Sequence, residues 1–575
     1  MPDPASAPAF HVANEIADWS KWQQQLVRRK PRVPAAGAGP LGGTVMLWGA
    51  ADCLDADGRT LLTDIQRSLQ KNKLNPLARS LQNWVSAGQT TSTVQTALEA
   101  IAWTFALPAL AQVMERDAWC SAVDAIHNLA APASLSPQEQ PLVYQLQAVE
   151  LPATLARQFP EFSFAGRFAS SAAAASATLL ASALDEDGLL QSDRLSLVRP
   201  LLASWVRCRR LEAAGAAPIF DDTGRSRLDK FYRLALRLTR ANGSQVFGSQ
   251  KAFEPSFLEA VEQTATSSTT RRIVQAIQST VAGQPEKGLP PAPSYSEKRG
   301  LALLRTRWSP PTDCASVRFF AAEVDAEWQA GGRVLGSGAW SWQATVNGQP
   351  LQADGNWEEV CWHSDDDVDY LELELPLSGG WVLQRQVLLA RSDRFLYLAD
   401  VLIGNDVPQL DVADLSFTSS WPLLEGVRFE PARETREGHF TVGGKRVACA
   451  MPISLPEWRV EMARGELQCT AEGELQLSVA GRGRNLYCPL WIDLDARRCA
   501  QPATWRRLTV AQHLETMRSD TAVGYRVQSG AQNWIFYRSL AERASRTVLG
   551  QNYVGEFIAA RFQRDGQTVE LIEIE

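Results

Sequence analysis

No uninterrupted hydrophobic run in this chain approaches the roughly 20 residues that a bilayer-spanning helix needs. The first residues, MPDPASAPAFHVANEIADW, lack both the basic start and the apolar stretch of a secretory signal. The expected location is therefore the cytoplasm, with no membrane partner. Cysteine is sparse: Cys53, Cys120, Cys208, Cys314, Cys361, Cys449, Cys469, Cys488 and Cys499 stand singly, none at metal-knuckle spacing. An odd, scattered set excludes a disulfide framework and predicts reduced packing thiols with no metal. Positive charge is in deficit, 57 Lys and Arg against 64 Asp and Glu, which argues against a nucleic-acid partner. Nucleotide signatures are missing as well. Residues 438–445 (GHFTVGGK) have the wrong spacing for a phosphate loop, and 331–338 (GGRVLGSG) fail the dinucleotide pattern. There is no His-Glu-x-x-His and no nucleophile-elbow serine, so no cofactor is expected. Asp365, Asp367 and Asp369 mimic the opening of a calcium loop, but Tyr370 and Pro376 hold the places that need glycine and glutamate.

What is present divides in two. At 575 residues the chain exceeds one ordinary core. Helical periods run over residues 14–29, 61–87, 93–106, 137–158, 169–184, 200–214, 225–240 and 255–282, lengths that suit antiparallel helical hairpins. A Pro/Gly/Ala loop follows at 31–43, and the Pro-rich stretch 283–296 is the clearest linker. Residues 317–324 begin a series of short alternating, strand-like segments separated by Asn347-Gly348, Asp354-Gly355, Gly379-Gly380, Gly443-Gly444 and Asp565-Gly566, which are hairpin signals. The predicted class is α+β multidomain, with helical residues 1–284, a linker at 285–312 and an antiparallel β-sandwich at 313–575.

The second part is organised around residues 355–402. Leu371, Leu373 and Leu375 alternate with Tyr370, Glu372 and Glu374, which predicts a strand with one dry face. Buried unpaired carboxylates are costly, so the strand should start near Asp369 and leave the acidic run at a sheet rim. Turns at 378–380 and 392–393 return the chain as two further strands.

Few groups carry acid/base chemistry, since only five histidines occur. His363 stands beside Asp365, Asp366, Asp367 and Asp369, which would raise its pKa and orient its ring. His127, followed by Asn128, is the candidate in the helical part. On 225–240 (RSRLDKFYRLALRLTR), Lys230, Arg233, Arg237 and Arg240 form a basic stripe beside Tyr232. Such a stripe could hold an acidic polymer while Tyr232 moves a proton; the other reading is a solvated face and a core tyrosine. Trp205 and Trp362 are the sugar-stacking candidates among 19 tryptophans.

A helical half followed by a β-sandwich, with WHSDDDVDYLELELPLSGGWVLQRQVLLARSDRFLYLADVL at its heart, resembles the heparinase II/III-like family. Residues 187–243 (DGLLQSDRLSLVRPLLASWVRC through FYRLALRLTRANG) carry a second part of the likeness. The resemblance implies an α/α toroid with a β-sandwich, and cleavage beside a uronic acid by β-elimination. That step needs carboxylate neutralisation, a base for the adjacent ring proton and an acid for the leaving oxygen. Tyrosine and histidine usually fill the last two roles, one histidine coming from the sandwich. Here the His-x-His/Asp-rich sandwich segment is not recognisable, so Tyr232, His363 and His127 are candidates by residue type. Arg233, Arg237 and Arg240 would then hold substrate carboxylates, and the partner would be an acidic polysaccharide. The alternatives are a catalytically silent glycan-binding or scaffold protein and a glycoside hydrolase with paired carboxylates.

Overall fold

The computed structural model describes residues 11–28, 45–88, 91–130, 135–248, 255–279, 286–404, 407, 412–563 and 566–575. The loop at 31–43, the start of the linker (283–285) and Asp565 of the last turn signal lie outside them. Two compact units emerge: Met1–Thr239 with Gly243–Gln275, and Arg240–Asn242 with Ala276–Glu575.

The first unit is helical. Asp55, Thr93 and Asp221 cap the helices Ala56–Gln70, Val94–Leu110 and Asp222–Arg237, each side chain accepting a backbone N–H that the first turn leaves unpaired. The period expected over 61–87 is two helices, Ala56–Gln70 and Leu74–Ser86, because Asn72 takes a left-handed conformation (φ 52°) between them. Val94–Leu110 is buried on almost every side, as its lack of a polar face requires. Arg116–Leu129 packs against Val94–Leu110, while Phe164–Ala183 and Val198–Ala213 pack against residues 145–158. The helix expected at 137–158 is interrupted by a π-helical turn, Gln145–Glu150, between Pro141–Tyr144 and Leu151–Gln158. Residues five apart would sit about 140° apart on an α-helix. The wider turn brings Gln145 and Glu150 onto one side, and both reach the helix Val198–Ala213. Gln145 donates to Ser204 (3.0 Å) and accepts from Trp205 Nε1 (2.9 Å), while Glu150 pairs with Arg207 at 2.6 and 2.8 Å. No helix among the described residues is long and apolar enough to cross a membrane.

The second unit is built of antiparallel sheets. Its centre is an eight-stranded sheet in the order Val427–Pro431, Gly438–Val442, Lys445–Met451, Asn485–Asp493, Phe395–Ile403, Trp381–Ala390, Val368–Leu377, Glu358–Ser364. The three strands expected around residues 368–403 form a meander, with Leu373 opposite Arg385 and Arg385 opposite Asp400. The two-glycine turn at 443–444 joins two of these strands, so residues 438–445 are a hairpin.

Three expectations need correction. Residues 285–312 are not only a linker: they hold the strands Ser294–Ser296 and Leu301–Arg305 of a five-stranded sheet. Leu301–Arg305 is buried at every position, so it carries no alternation for a sequence pattern to reveal. The segment 317–324 is not one strand but the junction of Cys314–Phe320 and Glu323–Ala330. Ala321 turns the chain there with φ 52°, without the glycine or asparagine that would have signalled it. Finally, the strand Val368–Leu377 has two dry faces. Leu371, Leu373, Leu375 and Leu377 enter one core with Trp328, Phe417 and Leu477 from the neighbouring sheets. Tyr370 enters a second core with Trp534, Phe536 and Phe557 of the C-terminal sheet. The central sheet is thus the middle layer of a stack. All nine cysteines are free thiols, and only Cys53 and Cys469 are exposed.

Candidate functional site

Tyr232 does not reach solvent. It lies on the helix Asp222–Arg237 at 1% exposure, with its hydroxyl 3.5 Å from Thr264 Oγ1. Burial drives its pKa upward, and the Thr264 hydrogen bond opposes this only in part. A phenol so placed neither meets a polymer nor gives up its proton, and the core-tyrosine reading of this residue holds. Trp205 is also interior, fully buried with its indole on Gln145 and its ring edge-on to Phe231 at 4.7 Å. It stacks on protein, not on sugar.

The basic stripe is occupied by protein partners. Lys230 lies 3.9 Å from Asp187 and donates to the Glu186 carbonyl; Arg233 lies 3.7 Å from Asp229. Arg237 is part-buried on the last turn of the helix. Arg240 belongs to the second unit, where its guanidinium grips Glu327 at 2.6 and 2.8 Å with both side chains essentially inaccessible. Arg240 is therefore corrected from a substrate-holding residue to an internal one. The helix ends at Arg237, so Arg240 leaves the stripe; spacing alone points to Asp229, one turn before Arg233, but not to Asp187 or Glu327.

His127, on the helix Arg116–Leu129, is 7% exposed and sits against Phe164 and Phe168 at ring distances of 5.4 and 5.0 Å. Its Nδ1 lies 3.4 Å from Asn128 Oδ1. Burial lowers its pKa from 6.5, outweighing the opposite pull of Asn128. The folded protein thus resists a proton that the unfolded chain accepts, so the stability contribution is present above pH 6.5 and lost as pH falls through the lower folded value. The unfolding midpoint of the helical unit is expected to drop between pH 7 and pH 5. A His127→Phe variant should flatten that drop, measured by circular dichroism across the pH series.

His363 remains within reach of solvent. It lies on the edge strand Glu358–Ser364, its Nε2 3.1 Å from Asp365 Oδ2, with both side chains 43% exposed. Asp365 Oδ1 accepts the N–H groups of Asp367 and Val368, each at 2.8 Å. Burial works to raise the Asp365 pKa, but the Val368 N–H, His363 and the Asp367 N–H together lower it. The carboxylate is thereby fixed and charged beside the imidazole. The rest of the acidic run divides as the cost of burial requires. Asp366 is exposed, Asp367 pairs with Arg561 at 2.7 Å, and the fully buried Asp369 is held by Arg391 at 2.6 Å and Ser364 at 2.8 Å.

Trp362 neighbours His363 in sequence but not on the sheet. A bulge at Val360 puts Glu359 opposite Leu373 and Trp362 opposite Leu371, so both face the first core. Cys361 and His363 align with Glu372 and Tyr370 and take the other face. Trp362 stacks on Tyr295 at 5.0 Å and 17°, and the Tyr295 hydroxyl donates to Glu359 Oε2 at 2.8 Å. Imidazole and indole therefore do not line one groove. The Tyr295–Glu359 pair and the Glu150–Arg207 network went unseen in the sequence because their members lie 64 and 57 residues apart. No cluster of three metal-ligating side chains occurs among the described residues.

This architecture, a helical toroid-type unit followed by a β-sandwich, is the fold of heparinase-type polysaccharide lyases. A heparinase III crystal structure matches with a TM-score of 0.61 at 10% identity, covering 93% of this chain and 98% of that one. Heparan sulfate lyase HepC from Pedobacter heparinus matches at 0.53 and 10% identity, covering 95% and 91%. A further heparinase III structure gives 0.59 at 10% identity, over 93% and 98%. No family model matches the sequence, and no curated protein does.

Proposed function

We propose that this chain handles an acidic, uronate-containing polysaccharide as a heparinase-like lyase, with His363, oriented by Asp365, as the acid/base group of its sandwich unit. The observation that carries this reading is the extent of the fold likeness, which takes in nearly the whole of both chains. β-Elimination moves the proton next to the uronate carboxylate and returns one to the leaving oxygen. An imidazole beside a fixed carboxylate and open to water suits either transfer. Of the three catalytic candidates, only His363 has this setting: Tyr232 is enclosed and His127 is caged by phenylalanines.

That same enclosure favours a second reading, a glycan-binding protein without turnover. The test is ultraviolet absorbance of unsaturated uronate products when the protein meets heparin-like, alginate-like or pectin-like polymers. A signal that falls by about 10²–10⁴-fold in His363→Ala and persists in Tyr232→Phe supports the lyase. Binding without absorbance supports the silent protein, and new reducing ends without absorbance would mean hydrolysis.

A further inference from the structure

Between the strands Lys445–Met451 and Gly465–Cys469 the chain forms a loop that touches three sheet edges. Arg459 donates to the Ala432 carbonyl (3.1 Å) beyond the edge strand Val427–Pro431 and pairs with Glu466 (2.6 Å) on the edge strand Gly465–Cys469. Trp505, on the edge strand Ala503–Leu508, donates its indole N–H to Leu455 (2.8 Å), and Glu457 accepts from Thr504. The shape of the loop is set from inside by one side chain. Arg436, 5% exposed, donates to the carbonyls of Pro456 (2.9 Å), Trp458, Arg459 (3.5 Å) and Glu461 (2.8 Å). A buried guanidinium spent on four carbonyls of one loop fixes that loop before anything binds, which removes most of the ordering cost of association.

This fixed loop turns its apolar side chains outward. Trp458 is 47% exposed, Val460 92% and Met462 99%, while the carbonyls of Trp458, Arg459 and Glu461 among them are held by Arg436. Tryptophan and methionine are residue types that interfaces favour, and three together on one rigid loop are not isolated surface hydrophobics. Arg459 and Glu466 are already paired with each other, and the exposed charges left on the loop and on the 433–434 segment it bonds to are balanced, Arg433 and Arg464 against Glu434 and Glu461. An anionic lipid or an acidic glycan would call for a cationic rim. A balanced rim around an apolar centre fits a copy of itself turned through a two-fold axis, where each arginine meets a glutamate.

We propose that the loop at 452–464 is the docking surface for a second copy of this chain, forming a two-fold dimer centred on Trp458, Val460 and Met462. The test is sedimentation of the full chain at micromolar concentration, beside a Val460→Asp/Met462→Asp variant. Both positions are solvent-facing, so the variant should fold, with unchanged circular dichroism and melting. The expected result is a wild-type particle of twice 63.2 kDa and a variant of 63.2 kDa. A wild type that sediments at 63.2 kDa, or a dimer that survives both substitutions, overturns the proposal. So does a monomer that instead floats with neutral phosphatidylcholine vesicles.

Discussion

An Asp400→Asn variant is expected to lose about 3–5 kcal/mol of stability in the sheet-rich unit, the range for breaking one partner out of a buried pair. The Arg385 guanidinium is wholly inaccessible and lies 3.9 Å from the ring centre of Trp340 and 5.0 Å from that of Trp357. Its Nε meets Asp400 Oδ1 at 2.7 Å, and Asp400 Oδ2 accepts from Ser419, which in turn accepts from the Trp340 indole. Burial lowers the Arg385 pKa while Asp400 works against it. An arginine does not shed its charge in a protein, so removing the carboxylate charge strands a cation between two indoles. Asparagine keeps the size and one hydrogen bond, which isolates the charge. Urea unfolding followed by tryptophan fluorescence should show a lower midpoint with an unchanged slope. A paired Arg385→Met/Asp400→Leu variant should recover much of the loss, because neither charge is then buried. A loss below about 1 kcal/mol in Asp400→Asn would mean that the pair is as weak as a surface one.

The second large effect is expected at Glu372. By sequence it belongs to the wet face of an alternating strand, where substitution changes stability by about 0.5 kcal/mol or less. The structure buries it at 3% exposure. There it accepts from Tyr370 at 2.5 Å and from Arg538 at 2.9 Å, and Arg538 also pairs with Glu556 at 2.8 Å. Glu372→Ala leaves a buried phenol and a buried guanidinium short of an acceptor, and the expected cost is again about 3–5 kcal/mol. Glu374→Ala, two residues along and part-buried, is the control and should cost far less. Equal, small losses at both positions would contradict the second core.

These two sites show how far local pattern carries. The leucines at 371, 373 and 375 were legible because a period of two is a property of the strand itself. Glu372 was misjudged because its dryness comes from a sheet more than 150 residues later, which no local window contains. Lys230, Arg233 and Arg237 of the basic stripe were legible as spacing on a helix, but the helix ends at Arg237 and Arg240 lies beyond it. The availability of the stripe was not legible, since Asp187 and Glu327 approach from elsewhere in the fold; only Asp229, one turn before Arg233 on the same helix, lay within the local window. His363 and Asp365 lie two residues apart, so their pairing could be foreseen. The separation of His363 from Trp362 could not, because it rests on the cross-strand register around Val360.

The sequence alone determined that helices precede sheets, that three strands meander between residues 368 and 403, and that no nucleotide or metal-knuckle motif is present. Those properties follow from the backbone period, turn chemistry and ligand spacing within a few residues of each other. Tertiary structure decided which tyrosine is sealed, which arginines are consumed and which faces of the central sheet are dry. Burial and charge pairing depend on neighbours that only folding brings within a few ångströms.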